Sequence, residues 1–502
     1  MSKRSAVLLG FIVTKFVLQY FLILPDYDLQ RDEYLHLDQA NHLAWGYLSV
    51  PPVTSWFALI IGWLGNSTFW VRFFPALFGA LTILVVWKTV ESLKGNLFAC
   101  VLAATCILFS VLLRLNQLFQ PNSLDVLCWT TLYYVAVNYI NSGNRRWLYA
   151  FATVFAFGFL NKYNLVFLLI GFLPALILTP QRKLLANRHV YLALLVGLLL
   201  VSPNLIWQYQ HSFPVIHHMK LLAKTQLVNV NRADFLKEQI LYFMSSLIVI
   251  GAGLYALLLY KPFLAYRSFL FAFIFTLATF LFLRAKGYYA IGLYPIYVAF
   301  GAVFLSATIR ASWLRVTLVV IPLLLFVPVY RVAFPNKTPQ EIARHAERYQ
   351  KLGLLRWEDG RDHELPQDFA DMLGWRELAA KVDAAYVRLA DPEKTLVLCD
   401  NYGQAGAINY YTKQKIKAVT FNADYIDWFD LNKKYSHLIR VKEADGQATE
   451  INETGPLFTR AYVADFITNP LARERGTTIF VFQHARVDIN SRLAKEIAEE
   501  RW

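Results

Sequence analysis

The amino-acid sequence predicts a polytopic α-helical membrane protein of about eleven spans, followed by a water-soluble α/β domain. Its 502 residues are 57% hydrophobic and only 17% charged, whereas about a quarter of the residues of a soluble protein are charged. Residues 1–330 contain a series of apolar runs about 17–22 residues long, as a hydrocarbon core about 30 Å thick requires. Residues 331–502 read as an ordinary soluble sequence. We therefore predict a transmembrane domain at 1–330 and a soluble domain at 331–502.

The apolar runs define the predicted spans. They are expected at residues 6–24, 69–90, 96–113, 124–141, 147–160, 163–179, 190–209, 238–259, 268–283, 289–307 and 313–330. The first run is interpreted as an uncleaved span, because it is long for a signal peptide and has no small-residue cleavage site before Pro25.

The charges in the loops predict the orientation. One alternating set of loops carries thirteen Lys and Arg residues against Glu91 alone, and the other carries nine against eight acidic residues. The positive-inside rule assigns the first set, with the N-terminus, to the cytoplasm. An odd number of spans then places the C-terminal domain outside. We therefore expect a multi-pass protein of the inner (cytoplasmic) membrane, with the lipid bilayer rather than nucleic acid explaining the net charge of +14.

Strand-like and helix-like segments alternate in the C-terminal domain. Apolar runs at 395–400, 437–441 and 477–482 predict strands, and the segment GQAGAINYY at 403–411 predicts a helix between the first two. This alternation is typical of a small α/β domain.

In this topology, charged residues that are far apart in the sequence fall at the outer face of the membrane. They are Asp32, Glu33, Asp125, Lys162, Arg284 and Lys286. Charges near the membrane are costly to bury and usually serve a site or a partner. Each has a simpler interpretation as well: residues 31–33 as a solvated loop cluster, Asp125 as a helix cap, and the cations as side chains that reach the headgroups. Those interpretations do not explain why all six occur on one side.

The segment after Asp32 predicts helices that lie along the membrane surface. Residues 35–47 mix apolar and polar side chains in a pattern compatible with an interfacial helix. Pro51 and Pro52 end it, and VTSWFALIIGWLG at 53–65 begins a second helix that is short for a span.

At these residues the sequence resembles glycosyltransferase family 39, a GT-C-type membrane family. The family includes the protein O-mannosyltransferases and the aminoarabinose transferase that modifies lipid A. The resemblance is carried by RDE at 31–33, HLAWGY at 42–47, PP at 51–52, LNKYN at 160–164, KGYYAIGLYP at 286–295 and DFADMLGWRELAAKV at 368–382. These motifs are spread over nearly the whole chain, and their combination is specific although each is short.

The resemblance implies a GT-C-type fold and inverting transfer of a sugar from a polyprenyl-phosphate donor to a hydroxyl acceptor on the outer side of the membrane. A lipid-borne donor suits such an enzyme, because nucleotide sugars are confined to the cytoplasm. The resemblance places the catalytic base at Asp32. Glu33 and Asp125 are expected to orient the acceptor or to bind a divalent cation, for which Asp32 and His36 are further candidate ligands.

The basic residues are expected to stabilise the negative charge on the leaving lipid phosphate. The predicted donor-phosphate residues are Lys162, Arg284, Lys286, Tyr288 and Tyr289. The sequence leaves the sugar open, and the acceptor could be a glycolipid, a glycan or a protein. Because every candidate catalytic charge precedes residue 331, the C-terminal domain is expected to be dispensable for the chemistry.

Two other classes of protein fit part of the pattern. A membrane transporter also places charges near a membrane pathway, but transporters tend to have paired repeats and broken helices at mid-membrane. A non-catalytic receptor with an external sensor domain is the other alternative.

Overall fold

The computed structural model of the chain describes residues 2–225 and 227–501. The chain forms two compact units that are interleaved in the sequence. The first unit comprises residues up to Phe21, Ala44–Thr54 and Phe69–Phe334, and the second comprises Leu22–Leu43, Ser55–Thr68 and the chain from Pro335 onward. The loop that follows the first helix thus packs with the C-terminal part of the chain. The limits of the two predicted domains stay a prediction.

The first unit consists of apolar helices. Its α-helices are Lys3–Phe21, Thr68–Ser92, Leu97–Leu108, Leu112–Leu115, Pro121–Ser142, Arg146–Phe159, Val166–Ile177, Arg188–Gln210, Pro214–Thr225, Arg232–Tyr242, Leu247–Leu259, Arg267–Phe282, Pro295–Thr308 and Ser312–Tyr330. Short 3-10 turns lie at Tyr163–Leu165, Pro180–Ala186, Leu227–Asn229, Met244–Ser246, Lys261–Tyr266 and Gly287–Leu293. Each of the eleven predicted spans overlaps at least one of these helices.

Several of the spans are bent or short. Within the described residues, five helices are long and apolar enough to cross a membrane, or up to eight if each bent helix pair counts as one span. The break between Gly287–Leu293 and Pro295–Thr308 bends the chain by 46°, because Pro295 cannot donate the hydrogen bond that would continue the first helix. Leu97–Leu108 rises only about 18 Å, so it is shorter than a full crossing.

The outward faces of these helices are apolar. Only 17% of the most apolar part of Arg188–Gln210 is buried, and its exposed side chains include Leu194, Leu195, Leu198 and Leu199. Water would not accommodate so continuous an apolar surface, whereas hydrocarbon tails would. The multi-pass membrane protein predicted from the sequence is confirmed at the level of the fold.

The first predicted surface helix is shorter than expected. It spans Arg31–Asp38 and a 3-10 turn at Gln39–Asn41, and the prediction that it reaches residue 47 is wrong. Contacts with the Arg188–Gln210 helix determine the conformation of the residues that follow. The side-chain amide of Asn204 donates to the carbonyl oxygen of Trp45 at 2.7 Å, and a Cβ on Gly46 would lie 2.4 Å from the ring of Trp207. The second predicted helix, Val53–Trp63, begins directly after Pro52.

The C-terminal part of the second unit contains a five-stranded sheet with the order β2-β1-β3-β5-β4. The strands are β1 (Thr395–Cys399), β2 (Ala418–Thr420), β3 (His437–Lys442), β4 (Phe458–Phe466) and β5 (Thr478–Ala485). β1 pairs in parallel with β2 and β3, whereas β5 is antiparallel to β3 and β4. The three predicted strands are confirmed as β1, β3 and β5, and the α/β class with them.

Helices flank this sheet. Besides Arg31–Asp38, the α-helices of the second unit are Pro339–Arg344, Ala346–Gln350, Gln367–Ala370, Trp375–Tyr386, Tyr402–Tyr411, Gln447–Thr454 and Ile489–Glu500. One core cluster joins Leu396, Phe480 and Phe482 of the sheet to Ile489 and Leu493 of the last helix. The predicted helix at 403–411 is confirmed as Tyr402–Tyr411.

Candidate active site

Asp32 and Glu33 lie in the first turn of the Arg31–Asp38 helix, where the structure gives them different roles. Glu33 is fully buried, and one of its carboxylate oxygens accepts a hydrogen bond of 2.7 Å from the backbone N–H of Gln30. The side-chain oxygen of Gln30 accepts in turn from the backbone N–H of Asp32 at 2.9 Å. This reciprocal arrangement is a capping box, which fixes the start of the helix. Glu33 therefore has a structural task.

Asp32 is only half-buried, and its carboxylate meets a residue from the C-terminal part of the chain. The hydroxyl of Tyr402 donates a hydrogen bond of 2.7 Å to Oδ1 of Asp32. Asp32 thus combines partial exposure with a fixed direction, as a general base requires.

The Tyr402–Tyr411 helix approaches the Arg31–Asp38 helix very closely. A Cβ on Gly403 would lie 2.5 Å from Cγ of Arg31, and one on Gly406 would lie 2.8 Å from Cβ of Tyr34. The two glycines of the GQAGA segment are therefore what allow the helices to meet.

Buried polar groups surround this contact. Glu474 accepts from the side-chain amides of Gln404 at 2.6 Å and Asn401 at 3.2 Å. Asp371 forms an ion pair of 3.1 Å with Arg473 and lies 3.5 Å from the side-chain nitrogen of Gln30. Burial raises the pKa of Asp371 to about 7, although Arg473 opposes the shift. The capping residue Gln30 is thus itself in contact with the C-terminal part of the chain.

The motif DFADMLGWRELAAKV also packs against the residues that precede Asp32. Asp28 accepts hydrogen bonds from the backbone N–H groups of Trp375 and Arg376, at 3.1 and 3.3 Å, and forms an ion pair of 3.0 Å with the Arg376 side chain. A carboxylate at a helix N-terminus is favourable because it satisfies otherwise unpaired N–H groups. The motif therefore anchors the segment that leads to Asp32.

His36 is placed unlike a typical metal ligand. Its ring is buried and lies with Nδ1 3.2 Å from the side-chain oxygen of Gln39, and burial lowers its pKa. In the described parts of the chain, no group of three or more His, Cys, Asp and Glu side chains is arranged to hold a metal ion. The candidate metal ligands Asp32, Glu33, Asp125 and His36 stay a prediction.

The first unit brings Asp125, Lys162, Tyr288 and Tyr289 together. Asp125 is buried in the Pro121–Ser142 helix and accepts hydrogen bonds from the Trp129 ring N–H at 3.2 Å and from the Asn164 amide at 3.0 Å. The same amide donates to the carbonyl oxygen of Tyr289 at 2.9 Å. Asp125 thus links its own helix to the segment that contains Asn164. It does not act as the helix cap that the simpler interpretation suggested.

Lys162 lies between polar and aromatic groups. Its ammonium donates a hydrogen bond of 2.6 Å to the side-chain oxygen of Asn122. It also lies 5.1 and 4.8 Å from the ring centroids of Tyr288 and Tyr289, within cation–π range. These contacts hold the ammonium, and among the residues that the structure describes no carboxylate bonds to it directly, which suits a cation that receives a phosphate.

The remaining two predicted cations differ from each other. Lys286 is half-buried and close enough to Lys162 for the two charges to interact. Arg284 is exposed, with a left-handed backbone at φ 52°, and its guanidinium lies 3.5 Å from the carbonyl oxygen of Val228. The structure therefore joins Lys286 to the Lys162 cluster and directs Arg284 to a neighbouring loop.

Several residues of both clusters escaped the sequence analysis. Asn164 lay inside the motif LNKYN and Asp371 inside DFADMLGW, so a signal was present although no role was assigned. Tyr402, 370 positions from Asp32, had no local signal, because only the tertiary fold brings the two residues together.

Comparison with known proteins gives results that agree in sequence and in fold. A family model described as dolichyl-phosphate-mannose-protein mannosyltransferase matches residues 49–207. A curated relative, the lipid A galacturonosyltransferase RgtD of Rhizobium johnstonii, is 26% identical over 276 residues, which are 53% of this chain and 56% of the relative. The match thus spans about half the length of that relative.

Solved structures of ArnT from Cupriavidus metallidurans match over almost their full length. The structure bound to undecaprenyl phosphate has a TM-score of 0.62 and 14% identity, over 96% of this chain and 98% of that one. The apo structure has a TM-score of 0.59 with the same identity and coverage. At this identity the likeness shows the fold. Together the three comparisons confirm the resemblance that the motifs predicted: this chain is similar in sequence to the mannosyltransferase family model and to RgtD, and in fold to ArnT.

Proposed function

We propose that the protein transfers a sugar from a polyprenyl-phosphate lipid to a hydroxyl acceptor, with inversion, on the outer face of the cytoplasmic membrane. The observation that carries the proposal is the different state of two adjacent carboxylates. Glu33 is buried in a capping box, whereas Asp32 is half-buried and accepts a hydrogen bond from the hydroxyl of Tyr402. Of these two carboxylates, Asp32 is therefore the one that is accessible to an acceptor.

In the proposed reaction, Asp32 removes the proton of the acceptor hydroxyl while the hydroxyl oxygen attacks the anomeric carbon of the sugar. The new carbon–oxygen bond forms as the bond from that carbon to the phosphate oxygen breaks. The lipid phosphate leaves with the bonding electron pair, and Lys162 and Lys286 stabilise its growing charge. Tyr288 and Tyr289 keep the Lys162 ammonium in place through the faces of their rings.

The relatives support the choice of donor and suggest an acceptor class. The ArnT structure contains undecaprenyl phosphate, and the family model is described by a polyprenyl-phosphate-linked sugar, dolichyl-phosphate mannose. RgtD acts on lipid A according to its name, which favours a glycolipid acceptor over a protein for this chain.

The proposed side of the membrane can be tested independently. The excess of basic residues in one set of loops places residue 345 outside the cytoplasm. A reporter that works only after export should therefore be active when it is fused after this residue. Activity of a cytoplasmic reporter at that position would contradict the proposed topology.

Transfer itself is tested with purified protein and radiolabelled donors. Undecaprenyl phosphate carrying galacturonic acid, aminoarabinose or mannose is supplied with lipid A, and the labelled product is separated from the donor. We expect transfer from one of these donors, together with a matching mass shift in the envelope glycolipids of cells that contain the protein. A transporter or a receptor would produce neither result, and their joint absence would reject the proposed function.

A further inference from the structure

We propose that the first unit carries a binding site for an anionic glycerophospholipid, separate from the candidate donor site. One acyl chain of this lipid fills an apolar groove between membrane helices, and its phosphate meets the basic residues at one end of the groove. The groove lies among the helices Pro121–Ser142, Arg146–Phe159, Val166–Ile177, Arg188–Gln210 and Arg267–Phe282. The inference does not depend on the proposed function, because it concerns binding and not turnover.

The lining of the groove suits a hydrocarbon chain. The groove has a volume of about 700 Å³, and none of its lining residues is charged. Gln181 and Ser268 are the lining residues with a polar, non-aromatic side chain, so a polar ligand would leave most of its groups without a partner. The lining residues Leu173, Leu194 and Leu198 are also exposed. The groove is therefore open to the lipid that surrounds the helices.

The length of the groove matches one leaflet of a bilayer. Its lining positions extend from Trp147 to Phe155 on one helix and from Val190 to Val201 on another. At 1.5 Å per residue these stretches are about 12 and 16 Å long, and half of a hydrocarbon core is about 15 Å thick. The groove thus has the depth that a phospholipid acyl chain reaches from its own headgroup.

One end of the groove is basic. The Arg146 guanidinium lies 5.3 Å from the ring centroid of Trp147, which lines the groove. Arg182 and Lys183 are exposed and directly follow the lining residue Gln181. Arginine and lysine side chains bind phosphate through charge-assisted hydrogen bonds, and basic clusters beside a membrane attract anionic lipids. This end of the groove therefore favours a phosphate-bearing headgroup.

No acidic residue from the helices around the groove opposes this charge. The sequence has no Asp or Glu between residues 126 and 233, and none between 261 and 282. Asp125 lies in the Pro121–Ser142 helix, eleven residues before the lining residue Ala136, which is about 16 Å along that helix. The charge around the groove is thus complementary to an anionic lipid rather than to a zwitterionic one.

The basic end is distant from the candidate donor-phosphate residue Lys162. Arg146 begins the Arg146–Phe159 helix, whereas Lys162 follows the end of the same helix. Those 14 residues form a helix about 21 Å long. A phosphate at Arg146 therefore belongs to a different lipid, in the opposite leaflet, from a donor phosphate at Lys162.

Two glycines provide a matched pair of variants for the acyl chain. Gly197 lines the groove, and a Cβ there would lie 3.7 Å from its nearest neighbour, on Ala152. Gly197→Leu therefore places a side chain in the groove without a clash at its Cβ. Gly251 is an exposed glycine in the Leu247–Leu259 helix, and a Cβ there would meet nothing within 4 Å. Leu is also the better helix former at both positions.

The headgroup is tested with a second pair of variants. Arg182→Gln combined with Lys183→Gln removes two positive charges at the basic end of the groove. Arg310→Gln removes one exposed positive charge that follows the Pro295–Thr308 helix, which does not line the groove. Thermal unfolding without added lipid checks that each variant is folded.

The experiment measures binding of phosphatidylglycerol and phosphatidylcholine to the full-length protein in detergent, by native mass spectrometry and thermal unfolding. We expect phosphatidylglycerol to bind more tightly and to raise the unfolding temperature more. Its affinity should fall about 30-fold in the Arg182→Gln, Lys183→Gln variant, as expected for two basic residues beside an anionic lipid. Gly197→Leu should weaken it about tenfold or more, because the chain loses buried methylene groups. Gly251→Leu and Arg310→Gln should stay within about twofold of wild type.

Equal affinity for the two phospholipids would overturn the proposal, as would unchanged binding in a folded Gly197→Leu protein. Undecaprenyl phosphate is added as a competitor: displacement of phosphatidylglycerol from wild type would assign the groove to a polyprenyl chain and also overturn the proposal. Because no turnover is measured, selective phosphatidylglycerol binding by a protein without transferase activity would support this site while the proposed function fails.

Discussion

The two regions that carry the candidate residues hold their charges in different ways. In the first unit, the Lys162 ammonium lies over two tyrosine rings and bonds to one amide, with no carboxylate bonded directly to it in the described residues. In the second unit, Asp32 lies at a capped helix start and accepts from a hydroxyl. The first arrangement keeps a positive charge available to an anion, and the second fixes the direction of a base. We therefore expect changes in the first region to affect the donor phosphate and changes in the second to affect proton transfer.

Lys162→Ala should give the largest effect in the first region. A charge-assisted hydrogen bond to a phosphate contributes about 1.5–3 kcal/mol, so kcat/KM for the donor should fall about 10- to 150-fold. Steady-state kinetics with varied donor concentration measure this loss. Lys220→Ala, at an exposed position, is the control and should leave donor kinetics unchanged. Equal donor kinetics in both variants would favour the simpler interpretation, in which the Lys162 side chain only reaches the lipid headgroups.

Gly406→Ala should weaken the second region through packing alone. The new Cβ would lie 2.8 Å from Cβ of Tyr34 and 2.8 Å from the hydroxyl of Tyr425, and overpacking of this kind costs about 1–3 kcal/mol. We expect a lower unfolding temperature in detergent and a lower kcat. Gly455→Ala, where the nearest side-chain atom is 3.5 Å away, should change neither. A Gly406→Ala protein as stable as wild type would show that the helices tolerate separation.

Glu33→Gln should have a smaller effect, because the neutral amide oxygen can still accept from the Gln30 N–H. The substitution removes the negative charge from the helix N-terminus, at a cost of about 0.3–1 kcal/mol. A small fall in the unfolding temperature is expected, with a rate loss well below that of Asp32→Asn. If Glu33→Gln instead abolished turnover in a folded protein, Glu33 would have to act in the chemistry itself.

Hydropathy predicted the helices well because membrane spans need long apolar runs. The breaks within the spans were harder to predict from the sequence. The bend after Arg232–Tyr242 occurs at Met244–Ser246, where the sequence has no proline or glycine to indicate it. The short strand β2 has only three residues, and β4 contains exposed polar positions, so neither produced a clear apolar run. Their place in the sheet depends on pairing with β1 and β5.

The candidate site was predictable only where its chemistry is local. The adjacent carboxylates at 32 and 33 and the lysine of LNKYN are visible in the sequence, and the motifs identified them. The different contacts of Asp32 and Glu33 were not predictable. Glu33 bonds to Gln30 and Asp32 bonds to Tyr402, and both contacts form only when the chain has folded. Arg284 was grouped with Lys286 by sequence proximity, although its left-handed backbone directs it toward Val228.

The most direct test of the account is the turnover of Asp32→Asn. Asn has nearly the same size and can still accept from Tyr402, but it cannot take up a proton at neutral pH. We predict that the unfolding temperature and donor binding stay close to wild type while kcat falls about 10²- to 10⁴-fold, the usual contribution of a general base. Near-normal turnover by a folded Asp32→Asn protein would contradict the central claim that Asp32 is the base.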